Sequence, residues 1–156
     1  MGTVKLKWGE KCGICGNRYL RNVAVDAVAV RDGKVLLIKR GNEPDRGKWA
    51  LPGGLLDWNE QVGEATLREF TEETGFLGKL GRFVGIYSDP KRDLFQRVAA
   101  VYEVVITGGM LRFGDDALDA KWFRLNGLPK LAADHNGIIK DYRNLKLKMK
   151  HSKRNT

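Results

Sequence analysis

Hydrophobic positions near the start of the chain predict short strands. Residues 23–30 alternate weakly and are rich in valine and alanine, and Asp32-Gly33 separates them from the apolar run 35–38. Two apolar runs around Asp-Gly predict a β-hairpin, because this pair accepts the backbone angles of a tight turn. A further short strand is predicted at 49–51, and it ends at the breakers Pro52-Gly53-Gly54.

Later in the chain the hydrophobic spacing changes to that of helices. A helical pattern runs from about Glu60 to Thr74, and Gly75 stands where a C-terminal cap belongs. A second helix is predicted to begin between residues 128 and 134, and the glycine pair 108–109 predicts a turn. Between the two helices lie three further predicted strands, at 80–89, 96–107 and 120–125.

The order of these elements predicts the fold class. Strands outnumber helices, and the two helices are far apart in sequence, which favours an α/β (α+β) fold with a mixed sheet packed between helices. A length of 156 residues fits one domain. We therefore expect an N-terminal extension over residues 1–20, one folded domain over 21–147 and a disordered basic tail over 148–156.

The charge distribution bears on the partners. The formal net charge is +9, and five lysines and arginines crowd the last eleven residues. This tail predicts either a solvated, frayed end or an arm that contacts nucleic acid. The chain shows no apolar run of the ~20 residues that span a bilayer and no signal-peptide core at its start. We therefore expect a cytoplasmic protein without a membrane partner.

The two cysteines are Cys12 and Cys15, spaced as in half of a zinc knuckle. A closed zinc site needs four ligands, so one chain supplies only half of them. Two chains of a homodimer could pool four thiolates around a structural Zn²⁺. The alternatives are a redox pair or two thiols without a role.

Three glutamates share one face of the first predicted helix. At ~100° per residue, Glu72 and Glu73 fall roughly 60° and 40° to either side of Glu69, whereas Phe70 and Thr74 belong to a separate apolar stripe. Like charges at this spacing destabilise a helix, so something should compensate them. Clustered carboxylate oxygens suit Mg²⁺ or Mn²⁺. The pattern therefore indicates a metal site or, alternatively, a solvated acidic face.

The glutamates form part of a longer pattern of fixed spacing. In order it comprises Gly54, Glu60, Arg68-Glu69, Glu72-Glu73 and Gly75-Phe76. These residues occupy every specified position of the 23-residue Nudix signature, and the chain resembles the Nudix hydrolase family over roughly residues 20–145. The resemblance implies an α/β/α sandwich that uses Mg²⁺ or Mn²⁺ to hydrolyse a phosphoanhydride bond in a nucleoside diphosphate derivative.

The resemblance also implies roles for the residues of the signature. Glu60 and Arg68 form a structural ion pair that ties the loop to the helix. The implied metal ligands, which are also the catalytic carboxylates, are Glu69, Glu72 and Glu73, with the backbone carbonyl of Gly54 as a further one.

Residues outside the signature bear on the substrate. Pro90 lies fifteen residues after Gly75, in Ser88-Asp89-Pro90-Lys91-Arg92-Asp93, which is similar to a segment of the ADP-ribose pyrophosphatases of the family. This implies ADP-ribose, cleaved to AMP and ribose 5-phosphate, with Pro90 shaping the pocket and Arg92 reaching a phosphate. The alternative is a turn that simply needs a proline.

Other substrates remain open. Residues 12–25 resemble the second zinc knuckle of NADH pyrophosphatases, but the first knuckle and the Ser-Gln-Pro-Trp-Pro-Phe element of those enzymes are absent. NADH or another dinucleotide therefore ranks below ADP-ribose. The basic surface would also suit hydrolysis at RNA 5′ ends. A non-enzymatic ADP-ribose sensor is the least favoured alternative, because 156 residues leave no room for a DNA-binding domain.

The catalytic base and the nucleoside contacts must come from elsewhere. An acidic turn between two late strands offers the base, and Asp116 is the preferred member; a merely polar turn is the alternative. The loop before the signature offers substrate contacts. These candidates are Asp115, Asp116 and Asp119 for the base, and Arg40 and Arg46 for the substrate, beside Trp49, which is expected to be core.

Overall fold

The computed structural model describes residues 21–114 and 116–152. Cys12, Cys15 and Asp115 lie outside this part of the chain, so the expectations for them stay predictions. The described elements, in chain order, are β1 (Val23–Val28), β2 (Val30–Arg31), β3 (Lys34–Arg40), β4 (Trp49–Ala50), β5 (Gly53–Leu55), α1 (Val62–Thr74), β6 (Phe76–Tyr87), β7 (Val98–Gly109), β8 (Ala117–Arg124) and α2 (His135–Ser152).

The strands form two sheets. One has the order β5-β1-β7-β6, and in the other β3 pairs with β2, β4 and β8. Strands β1 and β7 run parallel, whereas the remaining pairs are antiparallel. The predicted mixed sheet is therefore confirmed, and so is the hairpin around Asp32-Gly33, which joins β2 to β3.

Each helix covers one side of the β-structure. Leu36 packs in a cluster with Phe70 of α1, while its neighbour Leu37 packs in a second cluster with Ile138 of α2. Adjacent residues of a strand point to opposite faces, so the two clusters lie on opposite sides of β3. All four side chains are essentially inaccessible to solvent. This arrangement confirms the expected fold class with helices on both sides.

The structure differs from the prediction at Pro52-Gly53-Gly54. These residues follow the end of β4 at Ala50, as expected, but Gly53 and Gly54 then begin β5 and pair with Asp26 and Val25 of β1. A Cβ on Gly53 would stand 2.0 Å from the carbonyl oxygen of Val25. Only glycine permits this pairing, which explains why a breaker-like sequence forms a strand here.

The predicted turn at Gly108-Gly109 is also absent. Both residues end β7 and pair with Leu77 and Phe76 of β6. Gly109 has a φ of +83°, and a Cβ there would lie 2.4 Å from the carbonyl oxygen of Gly75. The glycine is needed for this close approach to the end of α1, and sequence alone could not separate that need from a turn.

Helix α1 is capped at both ends by the residues that flank it. Gln61 and Glu64 form a reciprocal capping box at its start. Gly75 ends it in the left-handed conformation at φ 71°, as predicted, with its N–H bonded to the carbonyl of Thr71. The helix therefore begins after Glu60, which stays in the preceding loop.

Helix α2 continues through Ser152, into the segment that was expected to be a disordered tail. Residues 153–156 lie outside the described part of the chain. Within residues 21–114 and 116–152, neither helix is long and apolar enough to cross a membrane.

Candidate active site

A cleft of about 380 Å³ opens where β1, β5, α1 and the start of α2 meet. Its lining is rich in acidic and basic side chains. The charged and strongly polar residues that line it are Asp26, Arg40, Asn42, Asp45, Glu69, Glu73, Arg92, Asp93, Arg97, Asp116 and His135.

Helix α1 directs two of its three predicted metal ligands into this cleft. Glu69 and Glu73 are one helical turn apart and line the wall, and their side chains are largely buried. The side chain of Glu72 is 60% exposed, at the edge of the same face. The three glutamates thus share a face, as predicted, but differ strongly in burial.

Glycine at 53 and 54 lets the loop backbone reach these carboxylates. A Cβ on Gly54 would lie 2.3–2.5 Å from the carboxylate atoms of Glu69. The N–H of Gly53 donates a hydrogen bond of 2.8 Å to Oε2 of Glu73. The glycines of the signature are therefore needed for contact with the helix, and not only for loop flexibility.

Burial disfavours the ionised form of the glutamates on the acidic wall of the cleft. It raises the pKa of Glu73 to about 8, although the hydrogen bond from Gly53 opposes the shift; the nearby Glu69 reinforces it. Burial also raises the pKa of Glu69, against the effect of Arg68. A carboxylate whose charge is this poorly compensated gains from a bound cation.

Arg68 is the cation that the chain itself supplies. Its guanidinium donates two hydrogen bonds to Glu60, of 2.8 and 3.0 Å, which forms the predicted ion pair. It also donates to Glu69 at 2.8 Å and to Glu72 at 3.2 Å. A fifth hydrogen bond, to the carbonyl of Leu55, ties the helix to β5. Arg68 therefore orients two of the predicted metal ligands, a role that the sequence did not indicate.

The donor set fits a hard divalent cation. Among residues 21–114 and 116–152, no three acidic, histidine or cysteine side chains already converge on one point. Glu69 and Glu72 turn towards Arg68, while Glu73 turns towards Gly53. All the available donors are carboxylate or carbonyl oxygens, the ligands that Mg²⁺ and Mn²⁺ prefer.

The predicted catalytic base, Asp116, lies on the cleft. One of its carboxylate oxygens accepts a 2.8 Å hydrogen bond from the amide of Asn42. Asp119 instead pairs with Lys121 at 2.6 Å and is not part of the lining. Of these two acidic residues, the structure therefore brings only Asp116 to the glutamates.

Some of the predicted substrate contacts line the cleft and others do not. Arg40 lines the cleft and donates a 3.0 Å hydrogen bond to the carbonyl of Pro44. Arg46 and Pro90 are exposed and do not line it. Trp49 is half-buried and packs edge-on against Phe123, with ring centroids 4.7 Å apart, in agreement with a core role.

Arg92 lines the cleft but is already engaged by protein groups. Its side chain is 3% exposed and donates two hydrogen bonds to Asp134, of 2.9 and 3.1 Å. It also donates to Asp93 and to the carbonyl of Arg97. A contact between Arg92 and a phosphate stays a prediction, and it would require one of these donors to be released.

The sequence reasoning missed two residues on the cleft floor. Asp26 of β1 and His135, the first residue of α2, are both buried and both line the cleft. Nδ1 of His135 accepts a 2.9 Å hydrogen bond from the N–H of Leu51. The available signal was Asp26 itself, a lone charge inside a run of valine and alanine.

Comparison with known proteins agrees with this geometry. The sequence profile of the NUDIX domain matches residues 20–142. The chain belongs to the Nudix family. Its Nudix fold and intact signature are those of a pyrophosphohydrolase, and Nudix enzymes generally use divalent metals.

Three relatives show the extent of the similarity. The "ADP-ribose pyrophosphatase" of Methanocaldococcus jannaschii is 50% identical over 77% of this chain and 72% of its own. A MutT/nudix family protein from Enterococcus faecalis has a TM-score of 0.73 at 30% identity, covering 83% of this chain and 63% of its own. The NUDIX domain of Shewanella oneidensis NrtR, solved with ADP ribose, has a TM-score of 0.71 at 29% identity, covering 80% and 88%.

Neutralising the glutamates should abolish metal-dependent activity. We expect Glu72→Gln and Glu73→Gln each to lower kcat by at least ~100-fold, about 2.7 kcal/mol of barrier, because each removes a charged ligand while keeping its shape. Glu64→Gln, at an exposed position of the same helix that does not line the cleft, is the matched control. Near wild-type rates in both glutamine variants, or full activity in excess chelator, would refute the metal assignment.

Removing Arg68 should lower stability and activity together. Arg68→Ala leaves Glu60, whose side chain is 15% exposed, without its partner and releases Glu69 and Glu72. We expect a loss of about 1–2 kcal/mol, which corresponds to a melting temperature roughly 2–8 °C lower for a domain of this size. An unchanged melting temperature with a large loss of activity would instead place Arg68 on the substrate.

In the presence of a chelator, so that no metal is bound, the stability of the protein should depend on pH through Glu73. Because the pKa of Glu73 is raised from 4.5 to about 8, the folded protein holds a proton that the unfolded chain releases between these values. Stability should therefore fall as pH rises from 5 to 8, and Mg²⁺ should restore more of it at pH 8 than at pH 6. Thermal melts of Glu73→Gln provide the control. The same pH dependence in that variant would exclude Glu73 as the cause.

Proposed function

We propose that this Nudix hydrolase cleaves ADP-ribose to AMP and ribose 5-phosphate. The observation that carries the proposal is its 50% identity to the archaeal ADP-ribose pyrophosphatase across most of both chains. The structural likeness to a NUDIX domain solved with ADP ribose supports the same ligand. The Pro90 segment of the sequence points in the same direction.

The metal is proposed to be Mg²⁺ or Mn²⁺, held by Glu69, Glu72 and Glu73 with the carbonyl of Gly54. Such a cation would neutralise the diphosphate, lower the pKa of an attacking water and stabilise the leaving oxygen. Arg68 keeps two of these glutamates oriented, and the N–H of Gly53 orients the third. Little covalent chemistry is needed from the protein, so positioning and electrostatics dominate.

Two other residues of the cleft complete the proposed mechanism. Asp116 is the proposed general base, because it lines the same cleft and one of its oxygens is held by Asn42. Arg40, the last residue of β3, is the proposed phosphate contact, since only its Nε has a protein acceptor, the carbonyl of Pro44, among the described residues. The homodimer, the cytoplasmic location and the zinc at Cys12 and Cys15 stay predictions.

A substrate panel tests the proposal. We expect kcat/KM with Mg²⁺ or Mn²⁺ to be highest for ADP-ribose among ADP-ribose, NADH, diadenosine polyphosphates, oxidised dGTP and 5′-triphosphate RNA. Mass analysis should find AMP and ribose 5-phosphate, which places the cut between the two phosphates. A nucleoside triphosphate or RNA that leads by tenfold or more would refute ADP-ribose and leave the hydrolase assignment intact.

A further inference from the structure

The floor of the cleft holds a buried carboxylate with an unused oxygen. Asp26 lines the cleft, and its side chain is 10% exposed. Within the described part of the chain, Oδ2 of Asp26 is buried and finds no hydrogen-bond partner. Nearly all buried polar atoms in folded proteins are paired, because an unpaired one keeps the full cost of its lost hydration. This atom therefore needs an explanation.

The neighbouring Arg92 and His135 do not supply the missing hydrogen bond. Nη2 of Arg92 is 3.7 Å from Oδ2, and Nε2 of His135 is 3.6 Å from Oδ1, both too far for hydrogen bonds. Arg92 is held in place by Asp134, and His135 by the N–H of Leu51. Burial raises the pKa of Asp26, although the nearby His135 and Arg92 oppose the shift. Neither of these fixed groups donates a hydrogen bond to the carboxylate, so the side chain keeps acceptor capacity at the floor of the cleft.

The position of Asp26 limits what can reach it. Asp26 pairs in register with Gly53, and a Cβ on Gly53 would lie 2.8 Å from Oδ1 of Asp26. The N–H of the same Gly53 binds Glu73, the predicted metal ligand. Gly53 alone thus lies between Asp26 and Glu73, which belongs to the acidic wall where the diphosphate is proposed to bind.

This short separation favours a sugar over a base as the group that meets Asp26. In a nucleoside diphosphate derivative the ribose is attached directly to the phosphate, and the base lies beyond it. A carboxyl group that receives no hydrogen bond from the protein is satisfied by a ligand that donates one. Ribose hydroxyls are such donors, and a buried acidic side chain is a common partner for them in nucleotide sites.

We propose that Asp26 is a specificity-determining residue that accepts a hydrogen bond from a ribose hydroxyl of the substrate. This inference rests on the proposed function, because it requires a ribose next to the scissile diphosphate. ADP-ribose carries two riboses, one on each side, and both offer the same chemistry. The competing explanation is that Asp26 only balances the charge of the buried Arg92.

The test compares substrates that lack one hydroxyl. Wild-type protein is assayed with ADP-ribose and with four analogues, each of which lacks one hydroxyl, at the 2- or the 3-position of the adenosine ribose or of the distal ribose. Loss of the hydroxyl that meets Asp26 should lower kcat/KM by roughly 10-fold or more, as expected for a hydrogen bond to a charged acceptor. The analogue with the lowered kcat/KM identifies which ribose contacts Asp26.

Asp26→Ala and Asp26→Asn then decide whether Asp26 is the partner. The measured quantity is the ratio of kcat/KM for ADP-ribose to that for the penalised analogue. This ratio is taken within one preparation, so it does not change with the fraction of folded protein. We expect it to fall from about 10 or more in wild type to under about 3 in Asp26→Ala, with Asp26→Asn in between.

A matched control and the contrary outcomes complete the design. Asp134→Asn disturbs the same buried cluster through Arg92 but does not line the cleft, so it should lower the melting temperature and keep the wild-type ratio. A ratio in Asp26→Ala equal to that of wild type, or cleavage of all four analogues as well as ADP-ribose, would overturn the role of Asp26. Wild-type protein that does not cleave ADP-ribose would overturn the proposed function, and this inference with it.

Discussion

The close approach of the Gly53-Gly54 backbone to both β1 and α1 is the constraint on which the site depends. Side-chain carbon at either position would collide with Val25 or Glu69, so the contact exists only with glycine. Through it, the N–H of Gly53 holds Glu73, and strand pairing brings Asp26 beside the same residue. The acidic wall of the cleft and its floor are therefore joined by one short strand.

The second determinant is charge balance. Carboxylates at 69, 72 and 73 on one helical face repel one another, and burial of two of them increases the cost. Arg68 offsets part of it, with four hydrogen bonds to carboxylates and one to the backbone of β5. The raised pKa of Glu73 shows that this compensation is incomplete at the deepest glutamate. The wall is thus oriented by the chain, and the charge of its deepest glutamate can be balanced by a proton or by the cation that the metal assignment predicts.

Sequence reasoning succeeded where the signal was local. The α1 pattern, the Gly75 cap and the Asp32-Gly33 hairpin follow from spacing and backbone preference, and the structure has all three. It failed at Gly53-Gly54 and Gly108-Gly109, where glycine serves a tertiary approach and not a turn. No local pattern separates these two uses, because the atoms that a side chain would meet belong to residues remote in sequence.

The candidate site, too, could be predicted only where its signal was local in sequence. The helical wheel placed the predicted metal-binding glutamates on one face because helix geometry is regular. The floor of the cleft was not foreseen, since it joins β1, the segment after β6 and the start of α2, which meet only in the folded chain. Asp26 could be noticed as a charge in a hydrophobic strand, but its partners His135 and Arg92 could not.

The separation of wall and floor suggests how specificity arises in this chain. The wall consists of signature residues and is proposed to bind the diphosphate, a group common to every nucleoside diphosphate derivative. The floor lies outside the signature, and Arg92, two residues after Pro90, is fixed there between Asp134 and Asp26. Pro90 itself is exposed and away from the cleft. The predicted link between Pro90 and substrate choice is therefore better explained by the backbone path that brings Arg92 to the floor than by contact between Pro90 and the substrate.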